Sequence, residues 1–334
     1  MAGTGSAHLR DDPNVLLRVE DLVVEFKAGR KGTVHAVSGV SFDVMDGETL
    51  GLVGESGCGK STTAKAVIQI PAPTSGEVLY NGTDLAALKG EDMRRMRPEI
   101  QMIFQDPISS LNPRRKIRDV ISEGLAVWGD AHGTWSQDRI EELMIAVGID
   151  PKYGDRRPHQ FSGGQCQRIG IARALALDPK VLICDEPVSA LDVSVQAQVL
   201  NLLEDMKTRY GLTLLFISHD LSVVKNVSDR IIVMYLGKAA EIGDAEELYH
   251  RPRHPYTRAL LASIPEPAPT VDVHEGDIAG ELPSPINPPD GCRFNTRCPH
   301  ADDICFTDEP IMTQVGDADH FVACHHPVDV TIRT

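Results

Sequence analysis

Residues 54–61 read Gly-Glu-Ser-Gly-Cys-Gly-Lys-Ser and satisfy the pattern G-x-x-x-x-G-K-S. Glycines in such a loop let backbone N–H groups curl around phosphate oxygens, and a helix starting behind it adds the positive end of its dipole. Lys60 would reach the β- and γ-phosphates of a nucleoside triphosphate, and the Ser61 hydroxyl would ligate Mg2+. The candidate ATP contacts are Gly54, Ser56, Gly57, Cys58, Gly59, Lys60, Ser61 and Thr62. A purely structural glycine turn is the alternative; the apolar run 48–53 before the loop and the helical pattern of 61–69 behind it supply the context a phosphate loop needs.

A second constellation follows at 181–186, Val-Leu-Ile-Cys-Asp-Glu, an apolar strand ending in two carboxylates. Asp185 is placed to hold Mg2+ through water, and Glu186 to orient or deprotonate an attacking water. Alone this is weak, because strand ends are often polar for solubility. Beside a phosphate loop it gains meaning.

The elements that must position these groups are legible as short apolar runs. Residues 16–19 and 22–26 read as strands, a turn-rich insert covers 27–33, and further strands are expected at 37–44, 48–53, 181–184, 212–217 and 231–236. Residues 106–172 are richer in helical pattern, and a helix is expected at 193–209. Buried strands alternating with helices argue for a parallel sheet covered on both faces. After residue 240 the texture changes: Arg251-Pro252-Arg253-His254-Pro255 and the proline-dense stretches 265–269 and 283–289 lead to a segment holding Cys292, Cys298, Cys305 and Cys324. Each nucleotide motif occurs once.

Phe161-Ser162-Gly163-Gly164-Gln165 resembles the signature sequence of ABC ATPases, with Phe161 where Leu is commoner. In the order that family shows, Gln105 resembles the Q-loop glutamine, Ser189-Ala190-Leu191-Asp192 the D-loop, and His219 the switch histidine; an unrelated buried structural histidine is the plainer reading of His219 alone. The resemblance covers about 16–243. It implies an α/β fold: a P-loop, RecA-like ABC ATPase core with an antiparallel β subdomain and a helical subdomain at about 106–172, plus a small Cys-rich C-terminal extension. The corresponding division is a disordered tail at 1–14, the nucleotide-binding domain at 15–250 and the extension at 251–334. It further implies Glu186, His219 and Gln105 as catalytic residues and Ser61, Gln105 and Asp185 around Mg2+. Asp192 would serve in the D-loop, and Ser162, Gly163, Gly164 and Gln165 would face ATP held by the opposite subunit. Phe26 is the candidate for stacking on adenine, or else a plain core residue.

The run 254–261, His-Pro-Tyr-Thr-Arg-Ala-Leu-Leu, and the run 291–299, Gly-Cys-Arg-Phe-Asn-Thr-Arg-Cys-Pro, resemble the tails of ATPases from oligopeptide and dipeptide importers. Residues 106–113 fit the same subfamily, which nickel and glutathione importers share. The four cysteines leave gaps of five, six and eighteen residues, without the paired C-x-x-C knuckles of zinc ribbons. The resemblance implies a [4Fe-4S] cluster on Cys292, Cys298, Cys305 and Cys324. Zn2+, disulfides or unliganded thiols stay open, and His300, His320, His325 or His326 could replace a thiolate. A structural staple is the expected role, since so short a segment has little core of its own. Cys58, Cys166 and Cys184 are expected to be packing residues.

With 33 Lys and Arg against 48 Asp and Glu, the formal charge is −15, which argues against a general nucleic-acid footprint. No stretch reaches the roughly 18 apolar residues of a spanning helix, so membrane association is expected to run through partners. These are a second ABC ATPase subunit, identical or related, two membrane-spanning permease subunits and, indirectly, an extracytoplasmic substrate-binding protein, with this chain at the cytoplasmic face. A chromosome-maintenance ATPase would show long heptad arms, and a translation-factor ATPase two motif sets. Neither is visible.

Overall fold

A computed structural model describes residues 5–29, 32–128, 136–263, 280–316, 319–329 and 331. The chain divides into two units, Met1–Leu88 with Ser218–Thr334, and Lys89–Ile217.

The first unit opens with an antiparallel hairpin of β1 (Val15–Lys27) and β2 (Thr33–Met45). Two strands were expected where β1 runs as one. Its register slips between Val19 and Leu22, and Asp21 there takes φ 46°. Leu17 and Val19 are buried before the slip, Leu22 and Val24 after it. The extra residue shifts the alternation by one and so keeps both halves facing the same core. Next come β3 (Thr49–Val53), every residue buried, and α1 (Lys60–Val67). β4 (Ser75–Tyr80) and β5 (Thr83–Asp84) complete a four-stranded sheet in the order β2-β1-β4-β5.

The second unit contains α2 (Gly90–Met96), β6 (Ile100–Ile103), α3 (Ile117–Ile121), α4 (Glu123–Trp128), α5 (Gln137–Ala146) and α6 (Gly163–Leu175). It ends in β7 (Val181–Asp185), α7 (Val193–Tyr210) and β8 (Thr213–Ser218). β6, β7 and β8 run parallel, with Ile100 opposite Val181 and Val181 opposite Thr213. β7 and β8 are buried throughout, which is why they read as unbroken apolar runs rather than as alternation.

The chain returns to the first unit through α8 (Leu221–Val227), β9 (Arg230–Tyr235), β10 (Lys238–Asp244), α9 (Ala245–His250) and α10 (Pro255–Ala262). It then forms α11 (Asp303–Thr307), β11 (Thr313–Gln314) and β12 (Phe321–Val322). β9 lies parallel to β3 and antiparallel to β10, and β12 pairs with β10.

Two expectations about the ends meet a different arrangement. Within the segment expected to be a disordered tail, His8 is buried with its Nε2 2.7 Å from the Ser41 carbonyl. Arg10 pairs with Asp43 and Glu48 at 2.6 Å each, and Arg230 approaches the same two carboxylates at 3.0 and 3.2 Å. Two buried carboxylates need cations, and the tail supplies one of them. At the other end, the described residues from 280 onward are joined to the rest of the first unit through β12, which pairs with β10. Glu241, fully buried on β10, accepts hydrogen bonds from the Arg253 N–H (2.6 Å), the His254 N–H (2.9 Å) and His320 Nε2 (2.6 Å). One carboxylate thus joins three stretches of the C-terminal chain. The proline stretch 265–269 lies outside the described residues.

Candidate functional site

In the first unit, buried β3 delivers the chain into the loop 54–59 and α1 leaves from it. Gly54 has φ 155° and Gly59 φ 108°. A Cβ at Gly54 would lie 2.2 Å from the Met234 carbonyl oxygen, and one at Gly59 2.3 Å from that of Ala36, so both a left-handed backbone and a bare Cα are required. Lys60 is 4% exposed, and its Nζ donates to the Gly54 carbonyl at 2.7 Å and the Glu55 carbonyl at 3.0 Å. The lysine therefore folds back along its own loop. Ser56 and Gly57 are exposed at the loop tip, and Ser61 and Thr62 are half-buried in the first turn of α1. Cys58 is buried, and burial pushes its thiol pKa up.

Phe26 is 42% exposed on β1, which removes the core-residue alternative and leaves an open aromatic face. His219 is also exposed, directly after β8 and before α8, so it is not a buried structural histidine.

In the second unit, β7 carries Asp185, 2% exposed, to the end of the parallel sheet. Glu186 follows with φ 46°. A side-chain-bearing residue in the left-handed region is uncommon and is held there by its surroundings. The Glu186 N–H donates to the Ile217 carbonyl at 2.9 Å, and Glu186 Oε2 accepts from Gln105 Nε2 at 2.9 Å. Gln105 leaves β6, the parallel neighbour of β7, so adjacent strand ends bring the two side chains together. Ser189 Oγ donates to the Glu186 carbonyl at 3.1 Å, and exposed Asp192 stands at the N-cap of α7.

Ser162 is the N-cap of α6. Its Oγ accepts from the Gln165 N–H at 3.3 Å, while the Ser162 N–H donates to Gln165 Oε1 at 3.0 Å. This reciprocal box fixes the start of a 13-residue helix whose N-terminal N–H groups form a ready anion site. A Cβ on Gly164 would meet Val195 Cγ1 at 2.5 Å, so α6 and α7 need a glycine there to pack; Gly163 has ordinary room, with Leu191 at 3.5 Å. Cys166 and Cys184 are buried packing residues.

All seven cysteines are free, which sets aside the disulfide reading. Cys292 and Cys305 are buried and joined by a backbone hydrogen bond, Cys292 N–H to the Cys305 carbonyl at 2.9 Å. Burial, then the presence of neighbouring thiols, pushes Cys292 to about 11 and Cys324 to about 12, and Cys324 feels all three of the others. Burial and the neighbouring thiols thus disfavour bare negative charge on Cys292 and Cys324, which a cation beside them would favour. Tetrahedral zinc needs thiolates about 3.8 Å apart, from its 2.3 Å bonds. Among the described residues, the only group of three or more His, Cys, Asp or Glu with ligand atoms all within 4.8 Å of one another is Asp302, Cys305 and His326, so no three of the four sulfurs meet that spacing. His320 is committed to Glu241, and His325 Nε2 lies 2.9 Å from the Asp308 carbonyl.

Sequence reasoning missed a contact on the phosphate loop. The Glu55 N–H donates to the Tyr256 hydroxyl at 2.9 Å, and Arg297 pairs with the Glu55 carboxylate at 3.0 Å. Tyr256 is 201 residues away along the chain, beyond any local pattern. The only available signal was the His-Pro-Tyr run itself.

A family profile described as ABC transporter matches residues 37–189, and another, described as oligopeptide/dipeptide transporter, C-terminal region, matches residues 240–305. The oligopeptide transport ATP-binding protein OppF of Salmonella typhimurium is 51% identical over 324 residues, covering 93% of this chain and 96% of that protein. The OppF of Haemophilus influenzae is 48% identical over 326 residues, covering 94% and 98%. A solved dimeric ATP-binding cassette in a post-hydrolysis state, bound to ADP and phosphate, aligns with a TM-score of 0.62 and 26% identity, covering 69% of this chain and 98% of that one.

Proposed function

This chain belongs to the ABC transporter ATP-binding proteins, in the oligopeptide/dipeptide branch, and from that premise we propose that it hydrolyses ATP to drive peptide import across the cell membrane. The observation that carries the reading is roughly half-identity with oligopeptide transport ATP-binding proteins along nearly the whole chain, C-terminal region included. That identity favours peptides over nickel or glutathione as cargo.

The site residues divide the work by chemistry. Loop N–H groups from Gly54 to Thr62 and the Lys60 ammonium bind the triphosphate, with Phe26 against the base. Ser61, Gln105 and Asp185 would hold Mg2+, which would supply positive charge against the phosphate oxygens. Glu186 accepts a proton from water as its oxygen bonds to the γ-phosphorus and the bond to the bridging oxygen breaks, so that ADP and phosphate leave. Gln105 orients the Glu186 carboxylate, and His219 contacts the γ-phosphate. Ser162, Gly163, Gly164 and Gln165 serve the nucleotide of a second ATPase subunit, identical or related, with Asp192 beside that junction. One copy of each motif makes the chain half of a two-site dimer. Exposed Phe104 and Ile108 flank Gln105 and offer an apolar surface to two membrane-spanning permease subunits. No described helix is long and apolar enough to cross a membrane. Attachment at the cytoplasmic face is assigned to those permeases. A substrate-binding protein outside would select the cargo.

Cys292, Cys298, Cys305 and Cys324 would hold a [4Fe-4S] cluster as a staple for the C-terminal segment. The soft thiolate donors suit iron–sulfur chemistry.

Reconstituting the chain with its permeases and binding protein in vesicles tests the whole reading. Labelled short peptide should enter only with ATP, and not with the Lys60→Ala chain. Uptake of Ni2+ or glutathione instead of peptide would overturn the cargo.

A further inference from the structure

The phosphate loop is gripped from outside itself. Its second residue, Glu55, offers two handles, and the C-terminal region takes both. The backbone N–H donates to the Tyr256 hydroxyl at 2.9 Å, and the carboxylate receives Arg297 at 3.0 Å. Arg297 is 7% exposed in its side chain and also donates to the Tyr235 hydroxyl at 3.2 Å. Tyr256 is fully buried, with its ring centroid 4.7 Å from that of Tyr235 and 5.4 Å from that of Phe294. The hydroxyl therefore cannot follow the loop if the loop moves. Tyr256 lies in the first turn of α10, whose cap His254 is fixed through its N–H to buried Glu241.

A loop that binds phosphate through successive N–H groups works only if those groups already point inward, because ordering them during binding costs conformational entropy. We propose that Tyr256 and Arg297 are positioning residues of the ATP site, holding the Glu55 peptide so that the loop is shaped for phosphate before nucleotide arrives. This rests on the loop being the ATP site. The C-terminal region is then part of the nucleotide-binding machinery of its own chain.

The test measures affinity for a fluorescent ATP analogue and thermal stability on the full-length chain. Tyr256→Phe removes one oxygen and keeps the buried ring. It should raise Kd about 3- to 10-fold, the net effect of one lost hydrogen bond. Arg297→Gln should do the same, Arg297→Lys should recover part of the loss, and combining Arg297→Gln with Glu55→Gln should cost no more than either alone. A role confined to folding predicts a lower melting temperature with unchanged Kd for the folded chain, and that result overturns the proposal. If Tyr256→Phe fails to fold, Glu55→Gln, altered on a partly exposed side chain, decides: wild-type Kd there refutes the clamp. Lys60→Ala separates the two readings, since undiminished ATP binding in that variant would refute the site itself.

Discussion

The Gln105 side-chain amide donates to the Glu186 carboxylate at 2.9 Å, across the ends of two neighbouring parallel strands. Glu186 is held at φ 46° by its own N–H on the Ile217 carbonyl, so backbone and side chain are both fixed. The geometry holds the carboxylate aimed, as a general base requires.

Replacing that base by its isostere isolates the chemistry. Glu186→Gln should bind ATP as the wild type does, lose about 10²- to 10⁴-fold in hydrolysis rate, and accumulate as an ATP-bound dimer. Single-turnover hydrolysis alongside size-exclusion chromatography with ATP checks both. Hydrolysis near the wild-type rate would remove Glu186 from its role.

The start of α6 separates stability from shared-site function. Ser162→Ala breaks the capping box and should cost about 1 kcal/mol of stability, besides lowering ATPase activity in the assembled transporter. Gly163→Asp is the cleaner variant. An acidic residue in a helix's first turn is favourable to the helix, and Gly163 has room for a Cβ. It should fold normally yet lose about tenfold or more in ATPase activity through repulsion of a partner's phosphate. Full activity with normal folding would contradict the two-subunit site.

Much of this molecule was legible in sequence because its signals are local. The loop 54–61, the strand ending at Asp185 and the helix capped by Ser162 each carry their chemistry within a few residues, and buried parallel strands announce themselves as apolar runs. The bulge at Asp21 was not legible, since either half of β1 alternates correctly by itself. Nor was the pinning of His8 and Arg10, which depends on Asp43, Glu48 and Arg230 being buried together. The Tyr256 contact with Glu55 escaped for the same reason: a hydroxyl meeting a backbone N–H leaves no periodicity.

The proposed [4Fe-4S] cluster makes a chemical prediction independent of transport. Chain purified without oxygen should carry roughly four irons, with broad visible absorption. Cys298→Ser with Cys305→Ser should bleach it and make the C-terminal segment more open to protease, because ligand bonds would add to its packing against β10. Metal analysis returning one zinc and no iron would decide against the cluster.

His254 predicts how stability depends on pH. Its ring is buried, and burial brings its pKa down to about 4 from 6.5, against the opposing pull of Glu241. An unfolded chain takes up that proton near pH 6.5, whereas the folded chain refuses it until about pH 4. Between those values the unfolded state binds more protons. The ring's contribution is therefore fully present above pH 6.5 and is lost as pH falls toward 4, a change on the order of 3 kcal/mol over the whole window. Burial lowers His8 in the same direction. His254 Nδ1 accepts the Tyr256 N–H at 3.0 Å, a cap role that an asparagine oxygen can fill without titrating. Urea midpoints at pH 7, 6 and 5 for wild type and His254→Asn should diverge, with the wild type falling more steeply on the acid side. Carboxylates titrate in both proteins and cancel from the difference. Parallel curves across that window would show that the ring is not what acid attacks first.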